Sequence, residues 1–302
     1  ARERGEPIVS GAAAFAASAY GKLTGRPAAC FGIAGPGSTN LLTGLYDAKV
    51  DRAPVLAISG QVPSKVRGRG AFQDLDLTAA FSDVATYTQT VGADSDAAEL
   101  MTVACKTALV ERGVAHLVLP DEMQVIPSDA PAGGPDGRVG DVSVLPSGAS
   151  CDVAVAALAA ATRPVFIVGH GARGHMDPVI ALAEACGAPI LTTFKGKGLV
   201  PDGHPLAGGV LGRSGTPVAS WLMNEADLLV VLGASFSNHT GIAEYKKTVQ
   251  VDFDPAALGR FHAVDVPVLG HIGVTAEALL GRLDTAGRDD PRPEIVERWA
   301  IW

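Results

Sequence analysis

The chain has 302 residues, enough for two α/β domains that each bury a sizeable core. Hydrophobic residues make up 47% and aromatics only 5%, so the cores must be built from Ala, Val, Leu and Ile, and a disordered chain is excluded. With 32 acidic against 24 basic residues the formal charge is −8, which argues against a nucleic-acid or anionic-membrane surface, since either needs clustered Lys and Arg.

In chain order, residues 12–22 predict a helix closed by Thr24-Gly25, after which Arg26-Pro27 leads into a strand over 28–33. The Ala-rich stretch 11–19 is too short and too weakly apolar to span a bilayer, and it lacks the charged flank and cleavage pattern of a signal peptide. Gly35-Pro36-Gly37 makes a turn where a ligand can approach bare backbone. Ser38 and Thr39 stand where an N-cap belongs. The helix beginning near Thr39 carries Leu41, Leu42, Leu45 and Ala48 at helical spacing, with its N-terminus pointing at the turn. A second strand covers 55–59 and precedes a loop over 61–70 rich in Gly and Arg. Its Lys65, Arg67 and Arg69 either meet an anionic substrate or a neighbour's carboxylates, or are simply solvated. Helical segments near Ala80 and over 97–111 flank strands around Tyr87 and at 116–119.

Between 127 and 148 the sequence turns to Pro, Gly, Asp and Ser, as an interdomain linker does. Strands follow at 165–168, 189–193, 228–232, 249–253 and 266–269, with intervening helices such as 178–186. Regular β-α alternation predicts the α/β class, here as two parallel-sheet domains with helices on both faces. Cys30, Cys105, Cys151 and Cys186 show no short paired spacing. The first, second and fourth sit among apolar or helical residues and read as small buried thiols in a reducing cytoplasm. The histidines at 170, 175, 204, 239, 262 and 271 lack metal-ligand spacing, and no metal is assigned to them.

The string from Gly35 to Asp76, including Gly44-Leu45-Tyr46-Asp47-Ala48, Ser59-Gly60-Gln61-Val62-Pro63 and Ala71-Phe72-Gln73-Asp74, resembles the pyrimidine-binding domain of thiamine-diphosphate (ThDP) enzymes. Within them it is most similar to the acetolactate synthase and pyruvate oxidase group. The similarity continues through Ala115-His116-Leu117-Val118-Leu119-Pro120. Further on, Arg163-Pro164-Val165-Phe166-Ile167-Val168-Gly169, Lys195-Gly196-Lys197-Gly198, the run from Ala226 to Gly233, and Val251-Asp252-Phe253-Asp254-Pro255 resemble that group's central domain. The resemblance implies a pyrimidine-binding domain over 1–128 that is N-terminally incomplete, a linker over 129–148 and a Rossmann-like central domain over 149–285. It makes 286–302 the start of a connection to a diphosphate-binding domain. The expectation is a fragment, or a subunit that pairs with a separate diphosphate-binding chain and is inactive alone.

What the resemblance implies chemically is decarboxylation of a 2-oxo acid such as pyruvate and transfer of the acyl unit to a second carbonyl, with ThDP as electron sink and Mg²⁺ holding its diphosphate. The active site would lie between subunits of a homodimer or homotetramer. The family's glutamate, which hydrogen-bonds the aminopyrimidine ring, aligns with Ser10. A serine hydroxyl can bond the ring but cannot hold and relay a proton near neutral pH as a carboxylate does. One carboligating branch of the family has an apolar residue there, so both a modified proton route and a reduced or different activity stay open. The Mg²⁺ motif Gly-Asp-Gly is absent, and Gly140-Asp141-Val142 lacks its second glycine. Phe72 and Gln73 match a Phe-Gln pair that reaches the neighbouring subunit's active site, against the plainer reading of a core Phe and a loop Gln. Gly35 and Pro36 match the pyrimidine pocket, and Asn40 caps or supports the turn.

In the central domain the resemblance implies a fold that holds FAD in acetolactate synthases and a nucleotide or nothing in relatives. Gly169 and Gly171 form a glycine turn, Gly212 opens a second polar loop, and Asp252 and Asp254 stand where an adenosine could be met. Ser235 replaces an arginine common in the FAD-binding branch, removing a cation for the diphosphate and weighing against FAD. The competing reading, motivated by Ser10 and the missing metal motif, is a non-catalytic nucleotide-binding or regulatory subunit.

Overall fold

A computed structural model of the chain describes residues 10–127, 131, 133–284 and 288–302. They fall into two compact units, 1–142 and 143–302.

In the first unit α1 (Ser10–Thr24) is Ala-rich with Thr24 as its single β-branched residue, a composition that favours helix. It leads to β1 (Ala28–Gly32), α2 (Pro36–Thr39), α3 (Leu42–Val50), β2 (Val55–Gln61), α4 (Leu77–Phe81), β3 (Ala85–Thr90), α5 (Ala97–Val110) and β4 (Val114–Pro120). The strands form one parallel sheet in the order β1-β2-β4-β3. Successive side chains point to opposite faces, so the central strands β2 and β4 are buried on both, while the edge strand β1 leaves Ala29 and Phe31 exposed. On one face, Cys30, Val55, Ala57, Val114 and Val118 meet Ala14 and Ala17 of α1, Leu45 of α3 and Phe81 of α4. On the other, Leu56, Ala115 and Leu117 meet Ala104 and Ala108 of α5. Lys22 ties α1 to α3 by reaching Asp47 at 2.6 Å and Asp51 at 2.8 Å.

The helix after the glycine turn differs from its sequence expectation. It starts at Pro36, with Gly35 as N-cap, and is interrupted at Asn40 and Leu41 before α3 resumes at Leu42. Proline at the first position is pre-set for helix and has no N–H to leave unpaired, so it moves the start ahead of Ser38 and Thr39. Neither caps the helix: Ser38 Oγ donates back to the carbonyls of Gly32 (3.2 Å) and Ile33 (2.8 Å), and Thr39 Oγ1 to that of Pro36. Leu41, Leu45 and Ala48 are fully buried, as their spacing predicts.

The second unit runs α6 (Gly148–Ala160), β5 (Pro164–Val168), α7 (Met176–Ala185), β6 (Ile190–Thr192), β7 (Ala207–Val210), α8 (Pro217–Glu225), β8 (Leu228–Leu232), β9 (Thr248–Asp252), β10 (Val266–Leu269), α9 (Ile272–Leu280) and α10 (Arg292–Ile301). Its parallel sheet has the order β10-β9-β8-β5-β6-β7. β5 and β8 are buried along their whole length, which is why they read as unbroken apolar runs. The chain winds outward from β5 on one side and from β8 on the other, so the order reverses between these two central strands. β7 has no strand signature in sequence, because Ala207-Gly208-Gly209 lacks the β-branched and aromatic residues that mark strands. Among the described residues no helix is long and apolar enough to cross a membrane.

Candidate functional site

In the first unit, loops from three parts of the chain meet beyond the C-terminal ends of β1 and β2. Gly35 takes φ 70, and its carbonyl accepts from the Ser38 and Thr39 N–H groups at 3.1 and 3.2 Å. A Cβ at Gly35 would lie 2.9 Å from both Cα and Cβ of Gln73, so this position admits no side chain. Gln73 itself is left-handed at φ 64, a conformation that costs a non-glycine residue on the order of 1 kcal/mol and persists only where its surroundings impose it.

The surroundings do so through side chains. The buried Gln61 donates from Nε2 to the Leu75 carbonyl at 2.8 Å, and its Oε1 accepts from the Val62 N–H at 2.8 Å, clamping both ends of the loop between them. Asp74 Oδ2 accepts from the Gly68 N–H at 2.6 Å, and Asp76 Oδ1 caps α4 by accepting from the Ala79 N–H at 3.0 Å. Glu122 Oε1 accepts from the Ser64 N–H at 3.0 Å, and the Ser64 contacts hold the Glu122 carboxyl below its ordinary range. So fixed, the loop projects Phe72 outward with 86% of its surface exposed.

The third part is the start of α1. Ser10 is its first residue, and a Cβ on the adjoining Gly11 would sit 3.4 Å from the Asn40 carbonyl. Asn40 is exposed, and its N–H donates to the Pro36 carbonyl at 3.1 Å, which makes it a support of the turn. Gly11 therefore lies against the turn that Gly35, Pro36 and Asn40 build, and Gln73 touches the same turn. Beside Gln73 opens a cavity of ≈ 560 Å³ lined by Ser64, Arg67, Gly68, Asp74, Leu75 and Asp76.

One polar group in this unit escaped the sequence reading. His116, fully buried in the middle of β4, stacks on Phe81 with ring centroids 3.9 Å apart. Its Nδ1 is 2.8 Å from Thr88 Oγ1 and its Nε2 is 2.8 Å from Ser59 Oγ. Burial pushes its pKa down to about 4, so the ring is neutral, one nitrogen donating and the other accepting. The available signal was a histidine inside an otherwise apolar strand.

In the second unit the candidate residues lie at the C-terminal ends of β5, β7, β8 and β9, the edge where open α/β sheets usually receive ligands, and Gly169 and Gly171 stand at the point where the strand order reverses. Here the loops close on one another. The space a Cβ would need at Gly169 is taken by the Gly233 carbonyl at 2.3 Å, and at Gly171 by the Gly233 Cα at 2.8 Å. At Gly212 it is taken by the Phe194 ring at 2.4 Å and the His239 carbonyl at 2.8 Å. Asp252 Oδ1 accepts from the Asp254 N–H and Asp254 Oδ1 from the Ala256 N–H, each at 2.9 Å, so both carboxylates shape the turn after β9. Ser235 is exposed. Loop packing accounts for these glycines, and one oxygen of each aspartate helps form the turn.

Two family models match the chain. "Thiamine pyrophosphate enzyme, N-terminal TPP binding domain" covers residues 9–80, and "Thiamine pyrophosphate enzyme, central domain" covers 151–279. The chain belongs to the thiamine pyrophosphate enzyme family. Among curated relatives it is 36% identical over 271 residues to YdaP of Bacillus subtilis (strain 168), whose name provisionally marks it as thiamine pyrophosphate-containing, covering 89% of this chain and 46% of that protein. It is 35% identical over 310 residues to the acetolactate synthase large subunit of Parasynechococcus marenigrum (strain WH8102), covering 95% of this chain and 48% of that protein. It is 31% identical over 275 residues to the pyruvate oxidase of Lactiplantibacillus plantarum, covering 89% and 46% respectively. The chain thus spans about half the length of these relatives.

The two halves of a thiamine pyrophosphate cofactor fare differently against these residues. At the corner of Gly35 and Gln73, Gly35 is itself buried against Gln73, and the exposed ring of Pro36 offers apolar surface that suits an aromatic heterocycle. The metal-diphosphate half finds no donor set, since among the described residues no group of three or more His, Cys, Asp or Glu could hold a metal ion.

Proposed function

We propose that this chain supplies the pyrimidine-binding and central portions of a ThDP-dependent enzyme that decarboxylates a 2-oxo acid, pyruvate or a similar compound, and transfers the acyl unit to a second carbonyl. The observation that carries this reading is the backbone contact between Gly35 and Gln73, which joins the glycine turn to the Phe72-bearing loop beside the start of α1. In this reading Gly35, Pro36 and Asn40 receive the aminopyrimidine ring. Phe72, exposed on a fixed loop, reaches across a homodimer or homotetramer interface, and Gln73 contacts the reactant. The diphosphate and Mg²⁺ are held by residues other than those described here, so the chain alone turns over no substrate. Domain limits near residues 128 and 149 and a cytoplasmic location belong to the same reading. Ser235 weighs against FAD in this reading, because it stands where the FAD-binding branch carries an arginine for the diphosphate.

When bound, ThDP supplies the electron sink for decarboxylation. What the chain contributes is ring orientation, exclusion of water by Phe72, and a hydroxyl at position 10 in place of a carboxylate. Ser10 can accept or donate one hydrogen bond to the ring, but its pKa lies too far above neutrality for it to store the relayed proton, and loss of a positioned base costs ~10²–10⁴-fold in rate. Ser10→Glu in the full-length protein is therefore expected to accelerate proton exchange at the thiazolium C2 by at least about tenfold. Unchanged exchange would contradict the assignment of position 10. Calorimetric titration with ThDP and Mg²⁺ tests the whole reading, and undetectable binding by the full-length protein would end it.

A further inference from the structure

We propose that Gln61 is a positioning residue: its side-chain amide latches the loop that carries Phe72 and Gln73 to β2, and so sets where both side chains stand at the glycine turn. What the loop meets there rests on the ThDP reading; the latch itself rests on hydrogen bonds and backbone geometry. Residues 71–74 form a tight turn, closed by the Asp74 N–H donating to the Ala71 carbonyl at 3.1 Å. Gln73 holds the third position at φ 64, where such turns favour glycine. A side chain in so strained a backbone persists only where its surroundings hold it, and residues of this kind cluster at functional sites.

The holding comes from the sheet. Gln61 ends β2, an interior strand paired to β1 and β4, and it is buried. Two residues earlier on the same face, Ser59 Oγ lies 2.8 Å from His116 Nε2, which ties β2 to β4 through side chains as well as backbone. From this anchor Gln61 Nε2 donates to the Leu75 carbonyl, two residues past Gln73, and Oε1 accepts from the Val62 N–H, each at 2.8 Å. The amide fits only one way round, because a carbonyl only accepts and an N–H only donates. Asp74 Oδ2 at the Gly68 N–H joins the loop to itself, and Glu122 at the Ser64 N–H holds its first half. The bond from Gln61 to Leu75 holds the second half, between the Phe72–Gln73 turn and the Asp76 cap of α4. Glutamine suits the task because one planar group carries the donor and the acceptor that the two ends of the loop require.

Gln61→Glu tests this, because it keeps the shape and makes the donor depend on pH. With the introduced carboxyl neutral, its O–H donates to the Leu75 carbonyl and its other oxygen accepts from the Val62 N–H, so both bonds survive. Burial raises such a carboxyl above its ordinary range, and once ionised it only accepts, so the Leu75 carbonyl faces a negative oxygen while the Val62 N–H stays bound. Carbonyl and Cα carbon shifts of the complete 302-residue chain are followed from about pH 5 to about pH 8, above the range in which His116 titrates. Lys65, Arg67, Arg69, Asp74 and Asp76 of the loop and the Glu122 that holds it are common to both proteins, so wild type at each pH is their control. At the lower end Gln61→Glu should match wild type over residues 61–76. As pH rises its Leu75 carbonyl and Gln73 Cα shifts should depart, those of Val62 much less. In the full-length protein kcat/KM of the variant should follow the same curve, near wild type at the lower end and about tenfold to a hundredfold below it at the upper end. Gln61→Met, of similar length with neither bond, should show the displaced loop at every pH, which covers a carboxyl that stays neutral throughout and an ionised variant that unfolds. Loop shifts of Gln61→Met equal to wild type, Gln61→Glu shifts that differ from wild type at the lower end, changes spread evenly over the sheet, or failure of both variants to fold would each overturn the proposal. ThDP is absent from the shift measurement, so a working latch in a full-length protein that binds no ThDP would sink the proposed function and spare the latch, and undisplaced loops with ThDP binding intact would sink the latch alone.

Discussion

The glycine turns at the C-terminal edges of the two sheets look alike in sequence and behave differently in space. At Gly35 the backbone approaches Gln73, and the approach leaves Pro36 and Phe72 exposed beside an open cavity. At Gly169 and Gly171 the approach is to Gly233, which brings the loop after β5 against the loop after β8. A glycine required by backbone contact is thus evidence of a site only when the contact leaves other groups facing solvent.

Alanine substitutions at the two turns should separate these roles with the largest effects. Gly169→Ala would put a methyl group 2.3 Å from the Gly233 carbonyl, and overpacking of this kind costs about 1–3 kcal/mol; urea midpoints should fall with no change in ThDP affinity. Gly35→Ala combines a left-handed φ of 70 with contacts of 2.9 Å to Gln73, so it should lose a similar ~1–3 kcal/mol and also weaken ThDP. Equal effects of both on ThDP would erase the distinction.

A comparable effect should come from His116. Burial lowers its pKa from 6.5 to about 4, so the unfolded chain binds the proton more readily than the native one between those values. Stability from this group is complete above pH 6.5 and is lost as pH falls towards 4, by about 3 kcal/mol in all. Urea midpoints measured from pH 7 to pH 4 should fall accordingly, and His116→Leu should flatten that slope. The same substitution should lower stability at pH 7 by about 1–3 kcal/mol, because Ser59 and Thr88 lose a buried partner.

The sheets and their strand sequence were legible because β2, β5 and β8 carry unbroken apolar runs between turn residues. β7 was not legible, since neighbours and not propensity hold Ala207-Gly208-Gly209 in the sheet. Positions 35, 36, 72 and 73 could be picked out by resemblance, but their meeting could not, because Gln73 owes its left-handed backbone to Gln61 and Asp74 acting across the loop. Ser38 looked like a cap and is a buried hydroxyl bound to the end of β1, a distinction that depends on where Pro36 starts the helix.

Smaller effects sharpen the picture of the first unit. Lys22→Met removes the contacts to Asp47 and Asp51 that join α1 to α3, and a partly exposed pair of this type contributes about 1 kcal/mol or less. The Lys22 hydrogen bond also holds the Asp47 carboxyl below its ordinary range, so this contribution is present above the usual carboxylate pKa and fades as pH falls through the lowered one. Smallest in energy is thiol reactivity. Burial raises Cys30 to about 12 while Cys105 is half-buried, so a thiol reagent on native protein should label Cys105 before Cys30.

The most direct measurement of the central claim is an amide-shift titration of the chain with ThDP, comparing wild type with Gly35→Ala and Gly169→Ala. Saturable shifts over residues 35–40 and 71–74, weakened by Gly35→Ala and untouched by Gly169→Ala, are predicted. Shifts centred on 169–171, or none in the first unit, would contradict the assignment of the glycine turn, against which Gln73 lies, as the ring-binding corner.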